Sequence, residues 1–286
     1  LDRSDNTTGQ AVIQQVLTRT SVFVRKAAGT ASTEQVVASN IDTVFICMSL
    51  NSDFNLRRLE RYLAIAWSSG ALPVVVLTKA DLCADVAAKV SEAESVAIGT
   101  EILVTSSLAE DGHDQILPYL HCGSTAAFIG SSGVGKSTLI NRLAGTAFAT
   151  SGLRNDDKGR HTTTRRELIV LANGGVVIDT PGMRELGLET ADLAKGFADI
   201  DELAQQCRFR DCTHTHETGC AVQQAIQNGS LAADRLASYQ KLQKELSYAG
   251  LDARQLEMTK LNTMFKDVGG MKNARRFLHN KDKRRR

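Results

Sequence analysis

The sequence contains Gly130-Ser131-Ser132-Gly133-Val134-Gly135-Lys136-Ser137, a complete Walker A loop. Apolar residues 126–129 precede the loop as a predicted strand, and residues 136–143 follow with helical spacing. In this context the glycines let successive backbone N–H groups and the helix N-terminus face phosphate groups. Lys136 would bridge the β and γ phosphates, and the Ser137 hydroxyl would ligate Mg²⁺. The stretch predicts a nucleoside-triphosphate site in an α/β domain, with Thr138 and every residue of the loop among its ligands.

An earlier tetrapeptide, Thr78-Lys79-Ala80-Asp81, indicates which base is bound, because it follows a strand predicted over residues 73–77. The Asp81 carboxylate can accept hydrogen bonds from guanine N1–H and the 2-amino group, two donors that adenine lacks. Thr78 stands where most GTPases carry Asn, and Lys79 would pack along the nucleotide-binding loop. GTP is therefore the predicted nucleotide. An ATP-dependent enzyme is the alternative if the tetrapeptide is only a surface turn.

Three further segments complete the predicted nucleotide site. Ser106 and Ser107, just past the strand predicted over residues 101–104, resemble the backbone segment that commonly completes guanine recognition. Asp179 ends a strand after the phosphate loop and can hold the Mg²⁺ shell, while Gly182, three residues later, can sense the γ phosphate. A hydroxyl-rich segment between the phosphate loop and Asp179 should carry the switch threonine, either Thr162 or Thr163, with Thr163 preferred.

The order of these motifs is unusual, because the base-reading motifs precede the phosphate loop instead of following it. A circular permutation explains this order, since it preserves every contact at the carboxyl edge of the sheet. The segment after Asp179 and Gly182 then leads straight into the C-terminal region, which gives switch motion a short covalent route to it.

A second cluster of chemistry-bearing residues follows the α/β pattern. Cys207, Cys212 and Cys220 lie within fourteen residues, together with two candidate imidazoles, His214 and His216. Three thiolates and one imidazole form a closed tetrahedral set for structural Zn²⁺. The other cysteines, Cys47, Cys83 and Cys122, are interpreted as packing thiols.

Taken together, the permuted order and the motifs Gly-Ser-Ser-Gly-Val-Gly-Lys-Ser, Gly-Arg-His-Thr-Thr and Asp-Thr-Pro-Gly resemble the RsgA (YjeQ) family of ribosome-associated GTPases. The resemblance implies an OB-fold, a circularly permuted P-loop GTPase domain and a helical zinc-binding domain. It favours His214 over His216 as the fourth zinc ligand. Met183 replaces the glutamine that orients the attacking water in most GTPases, and the resemblance assigns that work to His161.

Length and composition fit this organisation. The 286 residues exceed one ordinary domain, and 42% hydrophobic residues, 23% charged residues and 3 prolines are typical of a globular protein. We expect a partial OB-fold β domain over residues 1–40, the GTPase domain over 41–198 and the zinc-binding domain with a basic tail over 199–286. The partial OB-fold and the first residue, Leu1, suggest that the natural protein begins earlier.

Charge points to a polyanionic partner. Residues 272–286 carry eight Lys or Arg against one Asp, on a chain whose net charge is +2. This basic tail, and a helix over residues 231–246 with Arg235, Lys241 and Lys244 outward, predict an RNA-facing flank. No apolar run approaches the ~20 residues needed to cross a bilayer, so a cytoplasmic location without membrane association is expected, with a monomer as the default.

By resemblance, the RNA is that of the small ribosomal subunit. The predicted function is a GTPase that acts as a checkpoint and release switch late in the maturation of this subunit, is stimulated by it, and uses GTP, Mg²⁺ and one structural Zn²⁺. The alternative is an RNA-binding zinc module whose domain senses GTP but barely hydrolyses it.

Overall fold

The computed structural model describes residues 13–26, 34–106, 112–145, 167–179, 193–248, 251 and 253–264. An antiparallel pair opens this part of the chain, β1 (Val22–Lys26) with β2 (Glu34–Ser39). The sequence of residues 11–17 is strand-like, but the described residues 13–17 form no strand, so this expectation is wrong there. The apolar side chains of Ile13, Val16 and Leu17 are 69–82% exposed, because no other described strand pairs with this segment.

A six-stranded sheet forms the centre of the molecule, in the order β5-β4-β3-β6-β8-β7. The strands are β3 (Thr43–Ser49), β4 (Leu72–Thr78), β5 (Glu101–Val104), β6 (Thr125–Ile129), β7 (Glu167–Val170) and β8 (Val176–Asp179). All neighbours run parallel except the edge strand β7. The central strand β3 is buried along its whole length, as expected for an apolar run covered on both faces. The predicted α/β class is confirmed.

The sheet order places the loops that follow β4 and β6 near each other, because both strands flank β3. Parallel strands present their carboxyl ends at one edge, where α/β proteins bind their ligands. The base-reading motif therefore shares an edge with the phosphate loop even though it comes earlier in the sequence. This arrangement is what the circular permutation predicts.

Helices cover both faces of the sheet. The long helix α1 (Leu56–Ser69) is capped by the Asn55 side chain at its start and by Gly70, at φ 86°, at its end. The residue patterns over 84–98 and near 114–120 predict two further helices. The first, α2, is shorter and spans Val86–Glu94, and the second is a 3-10 helix over Asp114–Tyr119 that contains Pro118. The helix α3 (Lys136–Leu143) follows the phosphate loop as predicted. No helix within the described ranges is long and apolar enough to span a bilayer.

Five more helices follow β8 in the part of the chain that the structure describes. They are α4 (Leu193–Gly196), α5 (Ala198–Ala204), α6 (Ala221–Gln227), α7 (Ala233–Ser247) and α8 (Ala253–Met264). Residues of α4 to α7, such as Leu193 and Leu236, share one buried cluster with Leu59 and Leu63 of α1. The domain boundaries near residues 40 and 198 stay predictions.

One predicted orientation on α7 is wrong. Lys241 and Lys244 are exposed, but Arg235 is only 3% exposed. Its guanidinium lies between Glu60 of α1 and Asp199 of α5 and donates hydrogen bonds to both carboxylates. Helical spacing alone could not reveal this partner, because the acceptors come from distant parts of the sequence.

Candidate functional site

The phosphate loop connects β6 to α3 and forms a tight turn against the sheet. Gly130 has φ +141°, and a Cβ at this position would lie 2.3 Å from the Cys47 carbonyl oxygen of β3. Gly135, at φ +102°, precedes the first residue of α3. Only glycine fits the first position, and the second needs a conformation that glycine adopts without strain. The loop therefore has the backbone that the sequence predicts for phosphate binding.

Lys136 folds back over the loop that it follows. Its ammonium donates hydrogen bonds to the carbonyl oxygens of Gly130 (2.8 Å) and Ser131 (2.6 Å). Ser137 and Thr138 are exposed in the first turn of α3, and Ser132 and Gly133 are exposed at the tip of the loop. The ammonium and the exposed backbone can thus meet a phosphate chain from the same side.

The base-reading segment contacts the phosphate loop through Thr78. This residue ends β4 and is buried, and its hydroxyl donates a hydrogen bond to the Val134 carbonyl oxygen over 2.5 Å. The Met48 carbonyl oxygen lies 3.4 Å from the same hydroxyl. Val134 is itself buried, so this hydrogen bond holds the middle of the phosphate loop against the end of β4. Threonine at the usual Asn position therefore keeps a link between the two motifs.

Asp81 lies in a short 3-10 helix, Ala80–Leu82, directly after this strand. Its carboxylate is exposed and accepts a hydrogen bond from the Ser106 hydroxyl at 2.6 Å. Lys79 precedes it in a left-handed conformation, with φ 58°, and is half-buried. The Ala80 amide donates to the Thr105 carbonyl, which ties the two predicted base-reading segments together. The Asp81 carboxylate is held but still open to a ligand.

The predicted magnesium and switch residues are described only in part. Ser137 lies at the start of α3, and the backbone of Asp179 ends β8, next to β6 in the sheet. Five predicted site residues lie outside the described residues: Ser107, His161, Thr162, Thr163 and Gly182. Their roles stay predictions.

Sequence reasoning missed one residue at this edge, Arg58 in the first turn of α1. Its Nη1 donates to the Ser131 hydroxyl of the phosphate loop and to the Asp53 carboxylate, the latter at 2.8 Å. The available signal was topological. The segment after β3 must reach the same sheet edge as the loop after β6, so an arginine there is a neighbour of the loop.

The cysteine and histidine cluster forms a second site. The ligand atoms of Cys207, Cys212, His214 and Cys220 all lie within 4.8 Å of one another. The Cys207 and Cys220 sulfurs are 3.8 Å apart, and His214 Nδ1 lies 3.6 Å and 3.4 Å from them. Thiolates at about 2.3 Å from a tetrahedral Zn²⁺ are roughly 3.8 Å apart, so the donor set fits zinc. The competing ligand, His216, is exposed and is not among these four residues.

Neighbouring groups prepare the cluster for a metal. Burial opposes ionisation of the Cys207 thiol, but backbone hydrogen bonds from Ala221 and Val222 hold its pKa below the ordinary value. Gln223 donates to the His214 carbonyl at 2.5 Å, and His214 has a left-handed backbone with φ 58°. Such supporting contacts orient ligands and are typical of metal sites. The four residues fill a tetrahedral set, so a zinc ion bound here would be structural.

Comparisons with known proteins follow the same pattern. A family model described as RsgA GTPase matches residues 16–189. The small ribosomal subunit biogenesis GTPase RsgA 2 of Lactiplantibacillus plantarum is 54% identical over 278 residues, which cover 96% of this chain and 79% of that protein. A protein of the same name from Listeria monocytogenes is 49% identical over 242 residues, covering 83% of this chain and 69% of its own length.

Solved structures give the same result. YjeQ from Thermotoga maritima superposes with a TM-score of 0.59 at 28% identity, covering 82% of this chain and 78% of that one. YloQ, described as a circularly permuted GTPase, superposes with a TM-score of 0.53 at 25% identity, covering 86% and 84%. The chain is therefore similar to these GTPases along most of its length.

Proposed function

Because the chain belongs to the RsgA family of GTPases, we propose that it hydrolyses GTP to GDP and phosphate as a switch in the maturation of the small ribosomal subunit. The curated relatives named above are biogenesis GTPases of that subunit. The observation that carries the proposal is the Thr78 hydrogen bond to Val134, which joins the base-reading strand to the phosphate loop in one site.

The proposed chemistry gives each of these groups one role. Asp81 selects guanine, Lys136 neutralises the β and γ phosphates, and Ser137 with Asp179 holds Mg²⁺. His161 positions the attacking water, because Met183 cannot accept a hydrogen bond from it in the way that a glutamine does. Thr163, or Thr162 in its place, and Gly182 respond to the γ phosphate. Loss of that phosphate then changes the segment that leads to the C-terminal helices.

The zinc-bearing region supplies a surface suited to ribosomal RNA. Arg208 and Arg210 are exposed between the ligands Cys207 and Cys212, and they flank Phe209, whose side chain is 45% exposed. The Arg208 guanidinium lies 5.4 Å from the Phe209 ring centroid. An exposed aromatic ring between two guanidinium groups can stack on an unpaired base while the arginines contact phosphates. We place this action in the cytoplasm, with the zinc ion holding the loop in shape.

The test is nucleotide-dependent co-sedimentation with purified small subunits, together with hydrolysis rates with and without them. We expect binding in the presence of a non-hydrolysable GTP analogue, release with GDP, and a rate that rises when subunits are added. Unchanged hydrolysis on addition of subunits would contradict the switch. His161→Ala should abolish most turnover and leave GTP affinity nearly intact, and loss of both together would argue against a water-positioning histidine.

A further inference from the structure

We propose that Arg58 is a positioning residue that ties the γ-phosphate end of the phosphate loop to α1, and that α1 passes the nucleotide state on to the C-terminal helices. The starting observation is its bifurcated contact, in which one guanidinium nitrogen bonds both Ser131 and Asp53. This route is separate from the covalent one that runs through the segment after Asp179.

Lys136 identifies the end of the loop that Arg58 contacts. The lysine of such a loop serves the β and γ phosphates, and here its ammonium lies against the carbonyl oxygens of Gly130 and Ser131. We therefore assign the Ser131 end of the loop to the γ phosphate, because the N-terminus of α3 at the other end faces the α and β phosphates. A movement of Ser131 on binding or loss of the γ phosphate would change the contact with Arg58 directly.

The Arg58 side chain is held in place rather than extended into solvent. Its side chain is 30% exposed, and Asp53 fixes the guanidinium from the other side. Asp53 is in turn placed by Asn51, whose side-chain oxygen accepts hydrogen bonds from the Asp53 amide at 3.0 Å and the Ser49 hydroxyl at 2.8 Å. The Arg58 amide is the donor in the Asn55 cap of α1. The contact thus forms part of an ordered turn between β3 and α1.

The same helix contacts the C-terminal helices. Glu60 binds Arg235 of α7 at 3.1 Å, and Arg61 forms an ion pair with Glu245 of α7. One turn later, α1 meets α4 closely, since a Cβ on Gly196 would lie 3.9 Å from the Ala64 backbone. A capped and largely buried helix moves as a unit, because a packed core does not deform continuously. A shift at Arg58 would therefore reach α4 and α7.

The chain carries its own reporter of this movement. Trp67, its single tryptophan, lies in the last turn of α1. The ammonium of Lys195 on α4 lies 5.3 Å from its ring centroid. A nearby cation alters indole emission, so the emission of Trp67 reports the α1–α4 contact.

The experiment compares wild type with Arg58→Gln, with Ser131→Ala, which removes only the hydroxyl acceptor, and with the matched control Lys89→Gln. Lys89 is a surface cation that pairs with Glu92. Affinities for GDP and for guanylyl imidodiphosphate are measured by calorimetry, and Trp67 emission is recorded at saturation with each nucleotide. Circular dichroism establishes that each variant is folded.

For wild type and Lys89→Gln we expect a different Trp67 emission with the analogue and with GDP. Arg58→Gln loses the charge-assisted hydrogen bond to Ser131. It should therefore bind the GTP analogue about tenfold more weakly, while its affinity for GDP changes much less. It should also lose the difference in emission, and Ser131→Ala should reduce both effects in the same direction. Rescue by Arg58→Lys is expected to be partial, since lysine offers a single point charge.

Three outcomes would overturn the inference. In the first, Arg58→Gln has the same nucleotide affinities and the same Trp67 emission as wild type. In the second, Arg58→Gln loses affinity equally for both nucleotides and keeps the difference in emission. In the third, the Trp67 emission of the wild-type protein is the same with both nucleotides. The inference rests on the nucleotide binding of the proposed function and not on the ribosomal subunit. A wild-type protein that binds neither nucleotide defeats both proposals, whereas binding without any effect of Arg58 defeats only this one.

Discussion

The hydroxyl of Thr78 donates a hydrogen bond to the backbone carbonyl of Val134, although the two residues are 56 positions apart in the sequence. Thr78 ends the strand that leads to the base-reading Asp81, and Val134 lies inside the phosphate loop. Both residues are buried. A short hydroxyl thus replaces the longer amide of other GTPases in joining base recognition to phosphate recognition.

We therefore expect Thr78→Val to weaken both the fold and nucleotide binding. The isosteric change leaves the buried Val134 carbonyl without its donor, which should cost about 1–3 kcal/mol of the free energy of unfolding. Urea denaturation and GDP calorimetry would measure the two effects. Thr78→Ser keeps the hydroxyl and is the matched control. Equal stability and affinity for Thr78→Val and Thr78→Ser would show that the hydrogen bond contributes nothing.

Asp81→Asn should change which base is bound. The exposed carboxylate, held by Ser106, could accept two charge-assisted hydrogen bonds from guanine, and an amide could not accept both. We expect GTP affinity to fall by on the order of a hundredfold while the affinity for xanthosine triphosphate rises. Competition against a fluorescent guanine nucleotide measures both. Ser106→Ala, which removes only the tether, should weaken GTP binding less and leave the order of preference unchanged. An unchanged preference in Asp81→Asn would mean that another group reads the base.

Local patterns explain what the sequence could predict. The phosphate loop was recognisable because its strand, its glycines and its helix are contiguous, and the zinc ligands lie within fourteen residues. The alternation of strands and helices predicted the sheet, and the motif order predicted the permutation. Each of these signals lies within a short window of the chain.

Contacts between distant segments could not be predicted in the same way. Arg235 has the spacing of an exposed helical residue, yet its partners Glu60 and Asp199 come from two other helices. Arg58 was missed because its acceptor, Ser131, is 73 residues away. Residues 11–17 have a strand-like sequence, but a strand also needs a partner, and the sequence pattern does not show whether one is present. Pairing is a property of the assembled fold.

The buried ion cluster predicts an asymmetry between its members. Removing Arg235 leaves buried Glu60 with Arg57 as its one ionic partner among the described residues, whereas removing the charge of Glu60 leaves Arg235 still paired with Asp199. Arg235→Met should therefore cost about 3–5 kcal/mol, as expected when one partner of a buried ion pair is removed, and Glu60→Gln much less. Chemical denaturation of the two variants measures this difference. Equal costs would show that the two pairings contribute alike.

The same cluster predicts a pH dependence. Burial raises the pKa of Glu60 despite the hydrogen bond from Ser238 and the neighbouring arginines. Burial acts to lower the pKa of Arg235, but Asp199 and Glu60 outweigh it and the pKa rises. Arg235 stays charged at any ordinary pH, so the Glu60 carboxyl group sets the pH dependence, and its Oε2 has no hydrogen-bond partner among the described residues. A raised carboxyl pKa favours the folded state at low pH, and this contribution is lost as the pH rises through the raised value.

Arg235→Met should strengthen this dependence, because the Glu60 carboxylate loses one of its two neighbouring guanidinium groups. We expect the free energy of unfolding of the variant to fall from pH 5 to pH 8 more steeply than that of wild type. Glu60→Gln, which cannot titrate, is the control and should remove this part of the slope. If the free energy of unfolding depends on pH in the same way in wild type and Arg235→Met, a group other than Glu60 causes the dependence.

The zinc site predicts opposite results for two histidines that are two residues apart. His214 Nδ1 lies within 3.6 Å of two cysteine sulfurs, whereas His216 is exposed. His214→Ala should lose the bound zinc, measured as metal per chain by mass spectrometry, and should unfold at a lower temperature because a structural metal contributes folding free energy. His216→Ala should retain one zinc ion per chain and the wild-type melting temperature. Since Cys220 belongs to the same buried cluster as Leu59 of α1, the loss in His214→Ala should also be visible as weakened packing against the GTPase core. Zinc lost from His216→Ala and kept by His214→Ala would reverse the ligand assignment.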